Sequence, residues 1–147
     1  MNYTYEYPRP AVTVDAVVFR IHASVLEVLL IQRKFPPFQA MWALPGGFLD
    51  MEETPEEAVY RELQEETGLT DIRLNQFHTF GAVNRDPRHR TITVAYYGIL
   101  QKRNASVFSG DDASSVGWHP LNKLPELAFD HLDIISLAKM CLKKINP

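Results

Sequence analysis

With 147 residues, 46% of them hydrophobic and 22% charged, the chain has the length and balance of one globular domain with a sizeable core. Its net charge of −3 predicts no general attraction to nucleic acid or anionic membrane. The N-terminus lacks the features of a signal peptide, and the apolar runs are far shorter than the ~20 residues of a membrane span. The one cysteine, Cys141, lies among apolar residues, which predicts a buried thiol. We therefore expect a single soluble, cytoplasmic domain over residues 1–147, with residues 1–10 as an extended N-terminal segment.

Strands, a helix, further strands and a second helix follow one another along the chain. Runs of β-branched and aliphatic residues predict the strands, and apolar residues at helical spacing predict the last helix. The predicted strands are 11–22, 26–33, 71–83, 91–101 and 114–121, and the predicted helices are 55–67 and a final one that Asp130 caps. This order indicates a mixed α/β fold.

The first predicted helix has start and stop signals at its two ends. Thr54 and Glu57 can form a capping box around Pro55, which suits the first helical position. Gly68 suits the position just after the last turn. The helix is therefore expected to run over residues 55–67.

The same helix carries a cluster of glutamates. Glu62, Glu65 and Glu66 fall within an arc of roughly 100°. Arg61 lies four residues from both Glu57 and Glu65 and can pair with either, whereas no basic residue of the helix is expected to neutralise Glu62 and Glu66. A solvated acidic face is the alternative, but converging carboxylates favour a hard divalent cation such as Mg²⁺ or Mn²⁺.

Residues 47–69 match the signature of the Nudix hydrolases, G-x5-E-x7-R-E-U-x-E-E-x-G-U, in which U is aliphatic. The nine matching positions are Gly47, Glu53, Arg61, Glu62, Leu63, Glu65, Glu66, Gly68 and Leu69. The chain therefore resembles this family. The resemblance implies an α/β/α sandwich with a central mixed β-sheet. It also implies hydrolysis of a pyrophosphate bond in a nucleoside diphosphate linked to another group.

The resemblance also implies a role for each matching side chain. Glu62, Glu65 and Glu66 would bind the metal together with the backbone carbonyl of Gly46, and Mg²⁺ is the expected cofactor with Mn²⁺ as the alternative. Glu53 would be a secondary acid, and Arg61 would orient the glutamates by ion pairing. The implied catalytic set is Glu53, Arg61, Glu62, Glu65 and Glu66.

The general base varies within the family, and some members use an acid well downstream of the signature. Asp111 and Asp112 are the candidates for that role here. A solvated turn is the alternative interpretation of this pair.

The segment NRDPRHR, residues 84–90, predicts a local positive patch in an otherwise acidic chain. Arg85, Arg88 and Arg90 lie within six residues, and Arg33 can join them. Because guanidinium groups match phosphate geometry, these four are the predicted substrate-binding residues. A solvated hairpin tip is the alternative.

This loop and the outer segments RKFPPF, GDDAS and LAFDH resemble the ADP-ribose pyrophosphatase-like branch, which includes sensor domains of transcriptional regulators. The resemblance implies cleavage of ADP-ribose to AMP and ribose 5-phosphate. A nucleoside triphosphate pyrophosphohydrolase and a weakly active ADP-ribose sensor are the alternatives. The expected partner is a small nucleotide, not nucleic acid or membrane, and a homodimer stays open.

Aromatic and imidazole side chains near these segments have two interpretations each. Phe35, Phe38 and Trp42 precede the glycine pair, and either one stacks on a nucleobase or all pack in the core. His131 is expected to pack and cap at the start of the last helix, not to bind metal.

Overall fold

The computed structural model describes residues 2–101, 106–110 and 113–145 of the chain. Within them lie seven strands and two α-helices: β1 (Ala11–His22), β2 (Val25–Arg33), β3 (Trp42–Ala43), β4 (Gly46–Phe48), α1 (Pro55–Thr67), β5 (Asn75–Phe80), β6 (Thr91–Ile99), β7 (Ala113–Pro120) and α2 (His131–Ile145). A short 3-10 helix, Leu121–Lys123, follows β7. Asp111 and Asp112, the candidates for the general base, lie outside the described residues.

The strands pair into one mixed sheet with β1 at its centre. β6 runs parallel to β1 along residues 11–19. The opposite edge of β1 is shared, because β4 pairs antiparallel with residues 13–15 and β2 with residues 19–22. β2 also pairs with β3 and β7, and β5 lies beyond β6. With neighbours on both edges and a helix on each face, β1 reads as a nearly continuous apolar run.

The two helices cover opposite faces of this sheet. Side chains of a strand alternate between faces, so Val14 and Val18 pack with α1 while Val17 and Phe19 pack with α2. On the α1 side of this contact, Ala58, Val59 and Leu63 are almost completely buried. The result is the α/β/α sandwich around a mixed sheet that the sequence predicts.

The predicted ends of the elements agree with the structure to within two residues except in one strand. The predicted strand 71–83 is wrong at both ends, because β5 covers only Asn75–Phe80. Pairing with β6 begins at Asn75, opposite Tyr97. Before that point Asp71 has a φ of 50°, which no strand residue adopts, and Ile72 packs into the core beneath α1 without strand pairing.

Both ends of α1 are built as the sequence predicts. The Thr54 hydroxyl accepts a bond from the Glu57 N–H at 3.1 Å, and the Glu57 carboxylate accepts one from the Thr54 N–H at 3.2 Å, which completes the capping box. Gly68 ends the helix in the left-handed conformation, with φ 74°. No helix within the described ranges is both long and apolar enough to cross a lipid bilayer.

Candidate active site

A cavity of about 430 Å³ opens where β1, β4 and α1 meet the segment after β2 and the start of α2. Its lining combines both signs of charge. The acidic lining residues are Asp15, Asp50, Glu62, Glu66 and Asp86, and the basic ones are Arg33, Lys34, Arg85 and Arg88. Carboxylates and guanidinium groups around one space suit a ligand that carries phosphate and meets a divalent cation.

Glu66 is the most deeply buried of the signature glutamates and lines this cavity. Only 6% of its surface is exposed, and its Oε2 has no hydrogen-bond partner among the described residues. Burial, and then the neighbouring Glu62 carboxylate, raise the pKa of Glu66 well above its usual value. The Gly46 N–H, which donates to Oε1 at 3.4 Å, opposes this only weakly. A buried, unpartnered carboxylate oxygen is costly, and a cation would relieve that cost.

Glu62 reaches the cavity because the backbone beside it has no side chain. A Cβ atom on Gly47 would lie 2.6 Å from the Glu62 carboxyl carbon, closer than any real contact. The signature glycine therefore leaves the space that the carboxylate fills. Glu62 and Glu66 converge there from successive turns of α1.

Arg61 ties the outer carboxylates of the motif together. Its guanidinium donates to Glu53 through Nε at 2.9 Å, to Glu62 through Nη1 at 2.8 Å and to Glu65 through Nη1 at 3.2 Å. The prediction that no basic residue of the helix neutralises Glu62 is therefore wrong: the long Arg61 side chain turns back toward its neighbour. Glu57 is not a partner of Arg61, because it is engaged in the capping box. The bonds from Arg61 lower the pKa of Glu53 to about 2.

The structure separates the predicted metal ligands into two groups. Glu62, Glu66 and Gly46 line the cavity, whereas Glu65 is not a lining residue, has 59% of its side chain exposed and pairs with Arg61. In the described part of the chain, no three carboxylate, imidazole or thiolate side chains are grouped for a metal ion. Two carboxylates still fit a Mg²⁺-type cation, because such ions are usually held by one or two carboxylates and complete their shell with water and substrate phosphate. The unpartnered Glu66 oxygen supports this fit.

Of the four predicted substrate-binding arginines, Arg85 is already paired. Its side chain is only 4% exposed and donates to both carboxylate oxygens of Asp130, at 2.9 and 2.7 Å. Burial alone would lower the pKa of Arg85, but the Asp130 carboxylate outweighs it and raises the pKa. Asp130 lies just before α2, as predicted for a cap, and its carboxylate accepts these bonds. Arg85 thus ties the loop before β6 to the start of α2.

Arg33 and Arg88 form the cationic wall of the cavity, while Arg90 lies outside it. Arg88 is held by Asp86 through Nε at 3.0 Å and Nη2 at 2.8 Å. Arg33 is held through Nε by the Pro37 carbonyl at 2.7 Å. Three of the four predicted arginines, Arg33, Arg85 and Arg88, therefore line the cavity, and the exposed Arg90 does not.

Of the predicted aromatic residues, Phe35 alone lines the cavity, with 55% of its surface exposed. Trp42 packs edge-on against His119 with ring centroids 4.5 Å apart, and Phe38 packs against Phe129. Core packing therefore accounts for Trp42 and Phe38. Phe35 is the residue of the three that is placed to meet a nucleobase.

Asp15 and His131 line the cavity, and sequence reasoning found no functional role for either. Asp15 is buried in the middle of β1, where the Thr93 hydroxyl donates to Oδ2 at 2.6 Å. His131 Nδ1 accepts the Leu44 N–H at 2.9 Å, and its Nε2 lies 3.5 Å from Asp15 Oδ1. Burial lowers the pKa of His131 to about 3, so the ring is neutral. The signal in the sequence was a lone aspartate inside the apolar run AVTVDAVVF.

Asp15 gives the stability of the protein a pH dependence. Burial raises the pKa of Asp15 to about 7, and the Thr93 bond opposes this only in part. Because the unfolded chain releases this proton near pH 3.8, the folded state loses stability as the pH rises from about 4 through 7. In metal-free protein, the free energy of unfolding of Asp15→Asn relative to wild type should therefore increase from pH 5 to pH 8. Urea unfolding at several pH values measures this, and a constant difference would contradict it.

A model of the NUDIX domain family matches residues 9–138 of the chain. The ADP-ribose pyrophosphatase of Methanocaldococcus jannaschii is 42% identical over 129 residues, which are 88% of this chain and 73% of that enzyme. The ADPR responsive transcriptional repressor NtrR of Acinetobacter baylyi is 35% identical over 137 residues. That match includes 90% of this chain but 54% of the repressor, so the chain spans about half of that relative.

Among solved structures, the NUDIX domain of Shewanella oneidensis NrtR complexed with ADP ribose is similar to this chain with a TM-score of 0.88 and 37% identity. The likeness covers 96% of this chain and 94% of that domain. The fold class and the family predicted from the signature are confirmed. The chain therefore belongs to the NUDIX domain family, whose hydrolases use a divalent metal to cleave pyrophosphate bonds.

Proposed function

We propose that this protein is a Mg²⁺-dependent pyrophosphohydrolase that cleaves ADP-ribose to AMP and ribose 5-phosphate. The observation that carries the proposal is the cavity itself. The buried Glu66 oxygen, which has no hydrogen-bond partner within the described part of the chain, lies in it beside Glu62, and Arg33 and Arg88 line the same space. A diphosphate needs both features, a cation site and a cationic wall. The 42% identity to an ADP-ribose pyrophosphatase supports this substrate.

The side chains divide the work of hydrolysis between them. Water adds to one phosphorus of the diphosphate, the bond from that phosphorus to the bridging oxygen breaks, and two phosphate monoesters leave. Glu62 and Glu66 would hold the cation, which supplies charge neutralisation on the phosphoryl oxygens and a more acidic bound water. Arg61 holds Glu62 in place, and Arg33 and Arg88 bind phosphate. The base is proposed to be Asp111 or Asp112.

A substrate panel tests the proposal. The protein is incubated with Mg²⁺ and, separately, ADP-ribose, nucleoside diphosphate sugars, dinucleotides and nucleoside triphosphates, and the products are identified. We expect ADP-ribose to be turned over fastest, with AMP and ribose 5-phosphate as the products. Release of inorganic pyrophosphate from a triphosphate at a higher kcat/KM than that of ADP-ribose would contradict ADP-ribose as the substrate. It would remain consistent with this cavity as the active site. Repeating the panel with Mn²⁺ decides which ion serves better.

A second candidate is an ADP-ribose sensor with little turnover. It is favoured by the likeness to the ADPR responsive repressor NtrR and to the NrtR domain complexed with ADP ribose. In the same panel, a sensor would bind ADP-ribose and return it unchanged. The family match over residues 9–138 supports the proposal that residues 1–147 are one domain in either case.

Gly47→Ala is expected to lower kcat by about 10²-fold, the scale of a misplaced catalytic group. The added Cβ would meet the Glu62 carboxyl group at 2.6 Å and displace it. Because the displaced atoms end a side chain, the free energy of unfolding should fall much less than the activity. The matched control is Gly81→Ala, whose Cβ would meet its nearest atom, on Ile92, at 3.9 Å. Steady-state kinetics and urea unfolding of both variants measure these effects. Equal kcat values in the two variants would contradict the displacement of the Glu62 carboxylate.

A further inference from the structure

Phe129 lies beside Arg33 and Arg88 in the cavity lining, and the segment LAFDH that contains it gave this residue no role of its own. Its ring lines the cavity. The guanidinium of Arg33 lies 4.9 Å from the ring centroid and that of Arg88 lies 5.6 Å from it. Both distances are within the range in which the negative face of an aromatic ring attracts a cation. Arg88 also lies 5.3 Å from the Phe48 ring centroid, so it contacts two rings, and Phe129 is the ring that the two arginines share.

The two arginines repel each other, and the arrangement suits an anion. Burial first, and then the charge of Arg88, lower the pKa of Arg33. An anion placed between two like charges relieves such repulsion. Two carboxylates also face these arginines. Asp86 accepts a hydrogen bond from Arg88, and the negative charge of Glu66 raises the pKa of Arg33.

The backbone of Phe129 shows that its position is imposed by its surroundings. Its φ is 53°, in the left-handed region that bulky residues rarely adopt. The ring is fixed by an edge-on contact with Phe38 at 4.8 Å and by His131 at 5.3 Å between centroids. A bulky residue in this conformation persists only where neighbouring structure holds it, and such residues cluster at ligand sites.

We propose that Phe129 is a positioning residue whose ring holds Arg33 and Arg88 as a two-armed site for a phosphate or diphosphate group. The inference deepens the proposed function and rests on it for the substrate. The bond from Arg33 to the Pro37 carbonyl uses Nε, and the bonds from Arg88 to Asp86 use Nε and Nη2. A phosphate would therefore meet the terminal nitrogens of Arg33 and Nη1 of Arg88. Phe129 acts through these arginines and needs no contact of its own with the ligand.

The test compares Phe129→Leu, Phe129→Tyr and the control Phe80→Leu, in which a half-buried phenylalanine that does not line the cavity receives the same change. KM and kcat are measured with ADP-ribose and Mg²⁺, and Kd with ADP-ribose in EDTA. We expect Phe129→Leu to raise KM and Kd about 10-fold, the scale of two lost cation–π contacts, with kcat within about threefold of wild type. Phe129→Tyr keeps the ring and should restore both constants.

The remaining outcomes either overturn the role of Phe129 or show that the proposed reaction, and not the role of Phe129, is wrong. A fall in kcat at constant KM, equal weakening in Phe80→Leu, or no rescue by Phe129→Tyr would show that Phe129 serves packing alone. If wild type binds ADP-ribose without cleaving it, the proposed reaction is wrong and Kd still decides the role of Phe129. If wild type does not bind ADP-ribose, Kd for inorganic pyrophosphate replaces it. Binding of neither ligand overturns the inference.

Discussion

Glu66→Gln is expected to abolish hydrolysis of ADP-ribose, with kcat lower by about 10³-fold or more, and to stabilise the metal-free protein. The activity falls because an amide replaces a carboxylate that would hold the cation, an ion whose charge stabilisation is worth several kcal/mol. The stability rises because Glu66 is 6% exposed, has no partner at Oε2 among the described residues and lies beside the Glu62 carboxylate. A rise in Tm of at least about 2 °C is expected.

The matched control for this variant is Glu52→Gln, the same change at an exposed glutamate outside the cavity. Its kcat and Tm should equal those of wild type. Kinetics with ADP-ribose, thermal unfolding in EDTA and thermal unfolding with added Mg²⁺ are measured on all three proteins. Mg²⁺ should raise the Tm of wild type and of the control but not that of Glu66→Gln. Retained activity in Glu66→Gln, or equal stabilisation of it by Mg²⁺, would exclude the metal role of this residue.

Asp130→Ala is expected to be strongly destabilising, with a loss of about 3–5 kcal/mol in the free energy of unfolding. The variant would leave the Arg85 guanidinium, whose side chain is 4% exposed, buried without its bidentate partner. Urea unfolding at neutral pH measures the loss. Substrate binding should weaken as well, because the ion pair ties the loop of Arg88 to the start of α2.

The control for Asp130→Ala is Glu27→Ala, which breaks the ion pair with Arg20. The Arg20 and Glu27 side chains are 25% and 13% exposed, so Arg20 stays partly accessible to water, and the loss should be near the upper end of the range of about 0.2–1 kcal/mol for surface pairs. The double substitution Arg85→Met with Asp130→Leu removes the buried guanidinium together with its partner carboxylate and should recover most of the lost stability. Similar losses for Asp130→Ala and Glu27→Ala would mean that the charge of Arg85 is solvated, contrary to its burial.

The sequence was sufficient for the parts of the site that lie in one segment. The bounds of α1, its capping box and the approach of Glu62 and Glu66 follow from spacing along a helix of known pitch. The signature includes Gly47, but only the structure shows that its missing side chain leaves space for the Glu62 carboxylate. The error within this segment was the partner of Arg61, whose long side chain reaches Glu62 as well as Glu65.

The rest of the site depends on contacts between distant segments, which spacing cannot predict. Arg85 was expected to bind phosphate, but its partner Asp130 lies 45 residues away in the chain. Asp15 meets Thr93 across the parallel pair β1 and β6, 78 residues apart. The position of Phe129 follows from a left-handed backbone just before α2, for which a phenylalanine gives no signal. Tertiary packing decided each of these.

The most direct test of the proposed hydrolysis is phosphorus-31 NMR of ADP-ribose incubated with the protein and Mg²⁺. We expect the diphosphate signals to disappear and the monoester signals of AMP and ribose 5-phosphate to replace them. This conversion should be absent with EDTA and with Glu66→Gln. Diphosphate signals that persist with wild-type protein and Mg²⁺ would contradict the proposed hydrolysis.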